Sequence, residues 1–326
     1  MSDKLINPGK REGTVLAPSS KSMAHRHLIC AALSGRKTVI RCEGVSKDIK
    51  ATALCLSAMG ADIKMTADPD NERITLIEVD PVGICNYQEQ KCPDDPGSNT
   101  GAELTDITKM TGILLCEESG STLRFLLPLA GALGLNASFE MKGRLPDRPM
   151  DEYETILKQH GMNISRKGNM LNCSGRLCSG DYELAGNISS QYFSGLLFSL
   201  PLLNGESRII TKGALESADY FEMTKDVVRK AGITWSEIDN VMTIPGGQHY
   251  DSPGDISVEG DYSSAAFFLC AGALSDFGIC VTGLEPDSIQ GDRSICQILK
   301  QFGAMVYVLP GKKAVFVGYH KDIGFF

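Results

Sequence analysis

Apolar and polar positions along this chain follow a pattern that recurs four times. A polar, serine-bearing start leads into small and apolar residues over a helical length. A short β-rich stretch follows and stops at a glycine. A second helix comes next and stops at another glycine. The four starts are SSKSMAHRHLICAAL (19–33), SGSTLRFLLPLAGAL (119–133), SSQYFSGLLFSLPLL (189–203) and SSAAFFLCAGAL (263–274). The strand-ending glycines are Gly44, Gly143, Gly213 and Gly283, and the helix-ending ones Gly60, Gly161, Gly232 and Gly303. Glycine after a helix fits a left-handed C-cap. In the last helix, Ile295, Ile298, Leu299 and Phe302 fall at i, i+3, i+4 and i+7, which predicts one apolar face.

The spacing makes the repeat hard to dismiss. Gly161 to Gly232 and Gly232 to Gly303 are each 71 positions, whereas Gly60 to Gly161 is 101. The longer interval holds the polar tract CPDDPGSNTGAELTD (92–106), which reads as a loop or excursion. A unit of roughly 70 residues with helix, strand, helix and further strand predicts an α/β architecture built by repetition.

Composition narrows the function. At 326 residues, and about 150 per domain, two domains are expected. The net charge of −8 argues against a broad nucleic-acid-binding face, yet leaves room for a local basic pocket. The 11 cysteines form no CxxC pair, and only Cys173 and Cys178 lie close together. Reduced, mostly buried thiols are expected, with no metal site. The start MSDKLINPGKREG has no apolar stretch, so no secretory signal is expected, and no apolar run is long enough to span a membrane.

The helix starts carry the candidate chemistry. Unpaired N–H groups and the helix dipole favour anions there, and serine both caps the helix and donates to ligand oxygens. Basic and amide groups gather at the same places: Lys21 and Arg26 in PSSKSMAHR, Arg124 in SGSTLR, Arg144 and Arg148 in MKGRLPDRPMD, and Gln191. Arg124 and Arg148 also have a purely structural reading. Lysine offers a compact charge and arginine a planar fork, a combination suited to a substrate with two or more anionic groups.

The segments PSSKSMAHR, ESGSTLRFLLPLAGAL, MKGRLPDRPMD, ISSQYFSGLLFSLPLL, TKGALESADY, VEGDYSSAAFFLCAGAL and QGDRS resemble the 3-phosphoshikimate 1-carboxyvinyltransferase (5-enolpyruvylshikimate-3-phosphate synthase) family, in order and over nearly the whole chain. The resemblance implies the enolpyruvyl transferase fold, an inside-out α/β barrel of repeated βαβαββ units. It implies transfer of the enolpyruvyl group of phosphoenolpyruvate to the 5-hydroxyl of shikimate-3-phosphate, with release of phosphate, in chorismate and aromatic amino-acid synthesis. It also implies no metal or organic cofactor, a cytoplasmic monomer acting on small molecules rather than nucleic acid or membrane, and glyphosate as an inhibitor at the phosphoenolpyruvate pocket.

Residue by residue, the resemblance makes Lys21 a catalytic group touching both substrates. It places Ser22, Arg26, Ser189, Ser190, Ser217 and Tyr220 on shikimate-3-phosphate, Gly120 and Arg144 on phosphoenolpyruvate, and Gln191 between the two. His25 and His27 receive no role and are expected to be structural or exposed. Glu118 stands where the family often has asparagine, and its carboxylate is expected to point away from the anion pocket.

The expected domains are residues 20–250, with three repeats, and 1–19 with 251–326, with about one repeat and the N-terminal strand. Against six repeats in the family, two are not found. The family's catalytic aspartate, its Lys-Glu-Ser-Asp-Arg type segment and its later phosphoenolpyruvate-gripping residues have no counterpart in the sequence. Impaired turnover is therefore expected, with a non-catalytic shikimate-3-phosphate-binding fragment as the alternative. UDP-N-acetylglucosamine enolpyruvyltransferase fits less well, because Ser22 replaces its asparagine and the 142–148 loop lacks its cysteine. An RNA 3′-phosphate cyclase would want a basic face and a histidine motif that are not seen.

Overall fold

The computed structural model describes residues 10–82 and 112–319; the tract 92–106 lies outside them. The chain divides into two compact units. The larger comprises Lys21–Ser257, and the smaller joins the chain up to Ser20 with the chain from Val258 onward. The boundary falls at 257/258 rather than at 250, because strand β13 (Asp255–Ser257) pairs in parallel with β2 (Thr38–Glu43) of the larger unit.

The larger unit repeats one arrangement three times. Its first sheet has the order β13-β2-β4-β3, with β3 (Asp62–Asp68) and β4 (Asn71–Asp80). The second runs β5-β6-β8-β7, from β5 (Ile113–Glu117), β6 (Ala137–Met141), β7 (Met162–Lys167) and β8 (Met170–Gly175). The third runs β9-β10-β12-β11, from β9 (Asp181–Ala185), β10 (Ser207–Lys212), β11 (Ser236–Ile238) and β12 (Val241–Ile244). In each sheet the first pair is parallel and the others antiparallel. A parallel pair needs a crossover, and a helix supplies it in the second and third sheets: α3 (Gly120–Ala132) and α5 (Ser190–Ser199). In the first, the leading strand comes from the far end of the unit and α1 (Lys21–Leu33) precedes β2.

Two kinds of helix follow from two kinds of sequence. In α3 and α5 nearly every residue is buried, as expected for helices apolar all round. Helices α4 (Asp151–Gln159) and α6 (Ala218–Lys230) are two-faced; α6 buries Phe221, Met223, Thr224, Val227 and Val228 and leaves Asp219, Glu222 and Lys230 to solvent. Helix α2 (Lys47–Ala58), capped by Ser46, packs on α1 and β5. The eight repeat glycines named above all have positive φ, from 55° at Gly143 to 111° at Gly60, where a side chain would strain the backbone.

Proline inside α3 is accommodated rather than tolerated. Pro128 lacks the N–H that would bond the Arg124 carbonyl, and the Tyr153 hydroxyl donates to that carbonyl instead, at 3.2 Å. A Cβ on Gly195 would sit 2.4 Å from the same carbonyl, so α5 approaches α3 closely only because Gly195 has no side chain.

The smaller unit holds one sheet, β1-β14-β16-β15, from β1 (Gly13–Leu16), β14 (Ile279–Thr282), β15 (Met305–Leu309) and β16 (Ala314–Gly318), with α7 (Tyr262–Ala273) and α8 (Ile295–Gln301). Again β1 and β14 are parallel and the rest antiparallel. Its core gathers Tyr262, Leu269, Val281, Leu284, Leu299, Val315 and Val317. Two sequence expectations change here. The serine pair does not cap α7: Asp261 does, accepting from the Ser263 N–H at 3.0 Å, so Ser263 and Ser264 lie inside the helix. The apolar face of α8 is only partly used: Leu299 is buried, but Ile298 and Phe302 are exposed. No helix among the described residues is long and apolar enough to cross a membrane.

Candidate anion-binding site

The starts of α3 and α5 form one cluster. Ser119 caps α3, accepting from the Thr122 N–H at 3.2 Å, and Ser189 caps α5, accepting from the Gln191 N–H at 3.3 Å. The Gln191 amide joins the two helices: its Oε1 accepts from Arg124 Nη1 at 3.0 Å, and its Nε2 donates to Ser121 Oγ at 2.9 Å. A Cβ on Gly120 would lie 2.5 Å from Arg124 Nη1 and 2.7 Å from Arg148 Nη1, so two guanidinium groups crowd the bare backbone at the first turn of α3.

Arg148 is thus brought up to the Gly120 backbone; the expectation placed Arg144, four residues earlier in the same turn, on phosphoenolpyruvate. Arg144 and Arg148 are both exposed, and neither side chain has a hydrogen bond or ion pair among the described residues. The Pro149 carbonyl accepts from the Tyr192 hydroxyl at 2.7 Å and from Arg124 Nη2 at 3.4 Å, which anchors the turn beside Arg148. Tyr192 is itself stacked on Tyr153, ring centroids 4.2 Å apart. Glu118 packs its carboxylate against Gly143, 2.6 Å from where a Cβ would stand, and Glu117 pairs with Lys142 at 2.8 Å.

A second cluster is built on α1. Arg26 is 2% exposed and donates from Nε to Thr224 Oγ1 (2.8 Å), from Nη1 to the Ser22 carbonyl (2.7 Å) and from Nη2 to the Tyr220 carbonyl (2.5 Å). Ser194 Oγ and Thr224 Oγ1 are hydrogen-bonded at 2.7 Å. Tyr220 has an exposed ring at the start of α6. Ser217, just before that helix, holds φ 55° and ψ 39° without using its side chain as a cap. A non-glycine residue in that region costs about 1–2 kcal/mol, a strain found often at binding sites. Lys21 opens α1 half-exposed and pairs with Asp48 of α2 at 2.9 Å. Ser190 is buried at the first position of α5.

The charges in these clusters are unusual. Arg26 and Arg124, the latter 6% exposed, have no carboxylate partner, and Arg124 Nε has no hydrogen-bond partner at all among the described residues. Burial pushes the Arg26 guanidinium down to about 9. Ring faces offset part of this cost: Arg26 lies 5.4 Å from the Phe125 centroid and Arg124 5.7 Å from that of Tyr192. A buried cation without a counter-ion is expensive. Two such cations beside helix N-termini make a place that an anion would stabilise. No group of three or more potential metal ligands gathers among the described residues.

The fold and the paired helix starts define an α/β repeat protein of the enolpyruvyl transferase type. The family description of EPSP synthase (3-phosphoshikimate 1-carboxyvinyltransferase) matches residues 6–79 and 98–323, and the chain belongs to that family. It is 39% identical over 309 residues to the 3-phosphoshikimate 1-carboxyvinyltransferase of Clostridium beijerinckii, covering 93% of this chain and 65% of that protein. It is 38% identical over 304 residues to the Clostridium kluyveri protein of the same name, covering 92% and 64%. The chain thus spans about 65% of the length of these relatives. Among solved structures, EPSP synthase from Acinetobacter baumannii superposes with a TM-score of 0.68 at 21% identity, over 95% of this chain and 65% of that one.

Proposed function

We propose that the larger unit binds shikimate-3-phosphate and phosphoenolpyruvate, and that the chain serves transfer of the enolpyruvyl group to the 5-hydroxyl of shikimate-3-phosphate. The observation that carries this reading is the pair of buried arginines, Arg26 and Arg124, that face no carboxylate beside the starts of α1, α3 and α5. Family membership supplies the chemical identity of the two anions.

In this reading Ser22, Arg26, Ser189, Ser190, Ser217 and Tyr220 hold shikimate-3-phosphate. Arg26 has two guanidinium hydrogens left after its three protein bonds. Gly120 and Arg148 receive phosphoenolpyruvate on the α3 N-terminus, and Gln191 spans the two substrates. Lys21 would exchange Asp48 for substrate anions and help move a proton. The work belongs in the cytoplasm, a setting supported by described cysteines that are all free thiols.

Binding without turnover is the second reading. Apart from Asp48, held by Lys21, Glu117, paired with Lys142, and Glu118, packed on Gly143, the side chains named at the site are cations, amides, aromatic rings and hydroxyls, which bind anions but offer no free carboxylate as acid or base. One experiment separates the readings: titrate the purified chain with shikimate-3-phosphate, then add phosphoenolpyruvate and follow phosphate release. Release that requires shikimate-3-phosphate and vanishes in Lys21→Ala supports the first. Saturable binding with no release supports the second. No binding of either compound overturns both. Arg148→Ala should weaken phosphoenolpyruvate binding by about tenfold or more, and Arg144→Ala by less than about twofold.

A further inference from the structure

Behind the α3 N-terminus runs a buried chain of four polar side chains from three helices. His25 Nδ1 lies 2.7 Å from Thr52 Oγ1, Thr52 Oγ1 lies 2.6 Å from Thr122 Oγ1, and the Thr122 hydroxyl donates to Ser119 Oγ at 2.7 Å. All four residues are buried. Ser119 is the cap of α3, next to Gly120.

Counting hydrogens gives this chain a direction. A hydroxyl has one hydrogen to donate. Thr122 spends its own on Ser119, so toward Thr52 it can only accept. Thr52 therefore donates to Thr122 and can only accept from His25. His25 must then carry its proton on Nδ1, leaving Nε2 bare, and Nε2 is indeed a buried atom without a hydrogen-bond partner among the described residues. At the other end Ser119 Oγ accepts twice, from the Thr122 hydroxyl and the Thr122 N–H, so its own proton is free to be donated.

We propose that His25 is a positioning residue: as the Nδ1-protonated neutral imidazole, it sets the polarity of the His25–Thr52–Thr122–Ser119 relay and thereby holds the first turn of α3 in the geometry that receives an anion at Gly120. The last part rests on the function proposed above; the tautomer and the cap geometry do not. Burial, reinforced by Lys21, pushes the His25 imidazole down to about 3, so it stays neutral through the physiological range. The neighbouring charged groups are Lys21 and Arg26 of its own helix and Asp48 of α2; the Phe125 ring on α3 lies nearly perpendicular to the imidazole, with centroids 6.5 Å apart.

The test has two arms. In the unliganded wild-type chain, ¹⁵N NMR of the His25 ring should show a protonated Nδ1 and a bare Nε2. The opposite tautomer, or an imidazolium at pH 7, would sink the proposal without touching the function assigned to the site. In the second arm, Thr52→Val cuts the relay at nearly constant volume, and Thr52→Ser keeps its hydroxyl. Hydrogen exchange at the Thr122 amide should accelerate about tenfold in Thr52→Val and return to within about twofold of wild type in Thr52→Ser. Phosphoenolpyruvate affinity, measured with shikimate-3-phosphate present, should follow the same order. Equal behaviour of the two variants in exchange overturns the relay. If exchange follows the order while wild type binds no phosphoenolpyruvate, the assigned function is what fails.

Discussion

Helices α3 and α7 share the ending Ala-Gly-Ala-Leu (130–133 and 271–274) and an almost unbroken apolar sequence, yet they live differently. In α3, Leu126, Leu127 and Leu133 are fully buried. At the matching positions of α7, Phe267 is 79% exposed, Phe268 41% and Leu274 62%. Local sequence writes the helix; neighbours decide its burial. Helix α3 packs along α5, a sister from the next repeat, which closes its second side. Helix α7 rests on its own sheet and on α8, and the rest of its circumference stays open among the described residues.

The sharpest way to break this comparison is to truncate matched side chains. Leu126→Ala should cost about 3 kcal/mol of stability through lost burial and a residual cavity. Phe267→Ala, removing a larger but exposed side chain, should change stability by less than about 0.5 kcal/mol. Denaturant unfolding followed by hydrogen exchange in each unit would check both. A large loss from Phe267→Ala would mean that something covers α7 in solution.

Acid provides a second contrast, smaller over an accessible range. His25 is buried in the larger unit, and its folded-state pKa is depressed to about 3 from 6.5, chiefly by burial. The unfolded chain takes up the proton near 6.5 and the folded chain does not until about 3. The unfolded state then binds more protons, so stability is complete above 6.5 and falls as pH drops through that window. The slope is about 1.4 kcal/mol per pH unit for this group, or about 2 kcal/mol between pH 6.5 and 5. His25→Phe should flatten the acid side of the larger unit's stability profile. An unchanged slope would show that His25 takes its proton in the folded state.

These contrasts also mark what was legible in the chain beforehand. The repeat, its glycines and the serine caps at 119 and 189 were readable because each depends on a few adjacent residues. The approach of Arg148 to Gly120 was not, since it depends on how the turn that carries Arg144 and Arg148 is held. That turn is anchored at the Pro149 carbonyl by Tyr192 and Arg124, far away in sequence. The relay behind α3 was equally hidden: His25, Thr52 and Thr122 become neighbours only when three helices pack. The exposure of Ile298 and Phe302 escaped for the reason given for α7, because periodicity reports which face is apolar and not whether anything meets it.

The matched glycines of α3 and α7 refine the comparison at about 1–2 kcal/mol. The three atoms nearest a Cβ on Gly131 would all belong to the Met162 side chain, whereas a Cβ on Gly272 would come within 2.6 Å of the Val317 carbonyl oxygen. A flexible side chain can move aside and a sheet backbone cannot. Gly131→Ala should therefore be near neutral, helped by alanine's helix propensity, and Gly272→Ala should destabilise the smaller unit. Thermal unfolding of the two variants would decide it, and equal effects would mean that the sheet beside α7 yields as readily as Met162.

The smallest effect separates strain kept for binding from strain that only shapes a turn. Ser217 in the larger unit and Lys313 in the smaller both hold positive φ, 55° and 46°. Glycine removes the steric penalty but loses more backbone entropy on folding, so each change to glycine should gain at most about 1 kcal/mol. Lys313 also pairs with Glu285, an exposed contact worth little. The two variants should thus look alike in stability. They should part in binding: Ser217→Gly loses a hydroxyl assigned to shikimate-3-phosphate and should weaken its affinity about fivefold, while Lys313→Gly should leave it unchanged. If both bind as wild type does, the strain at Ser217 serves only to start α6, and Ser217 leaves the site.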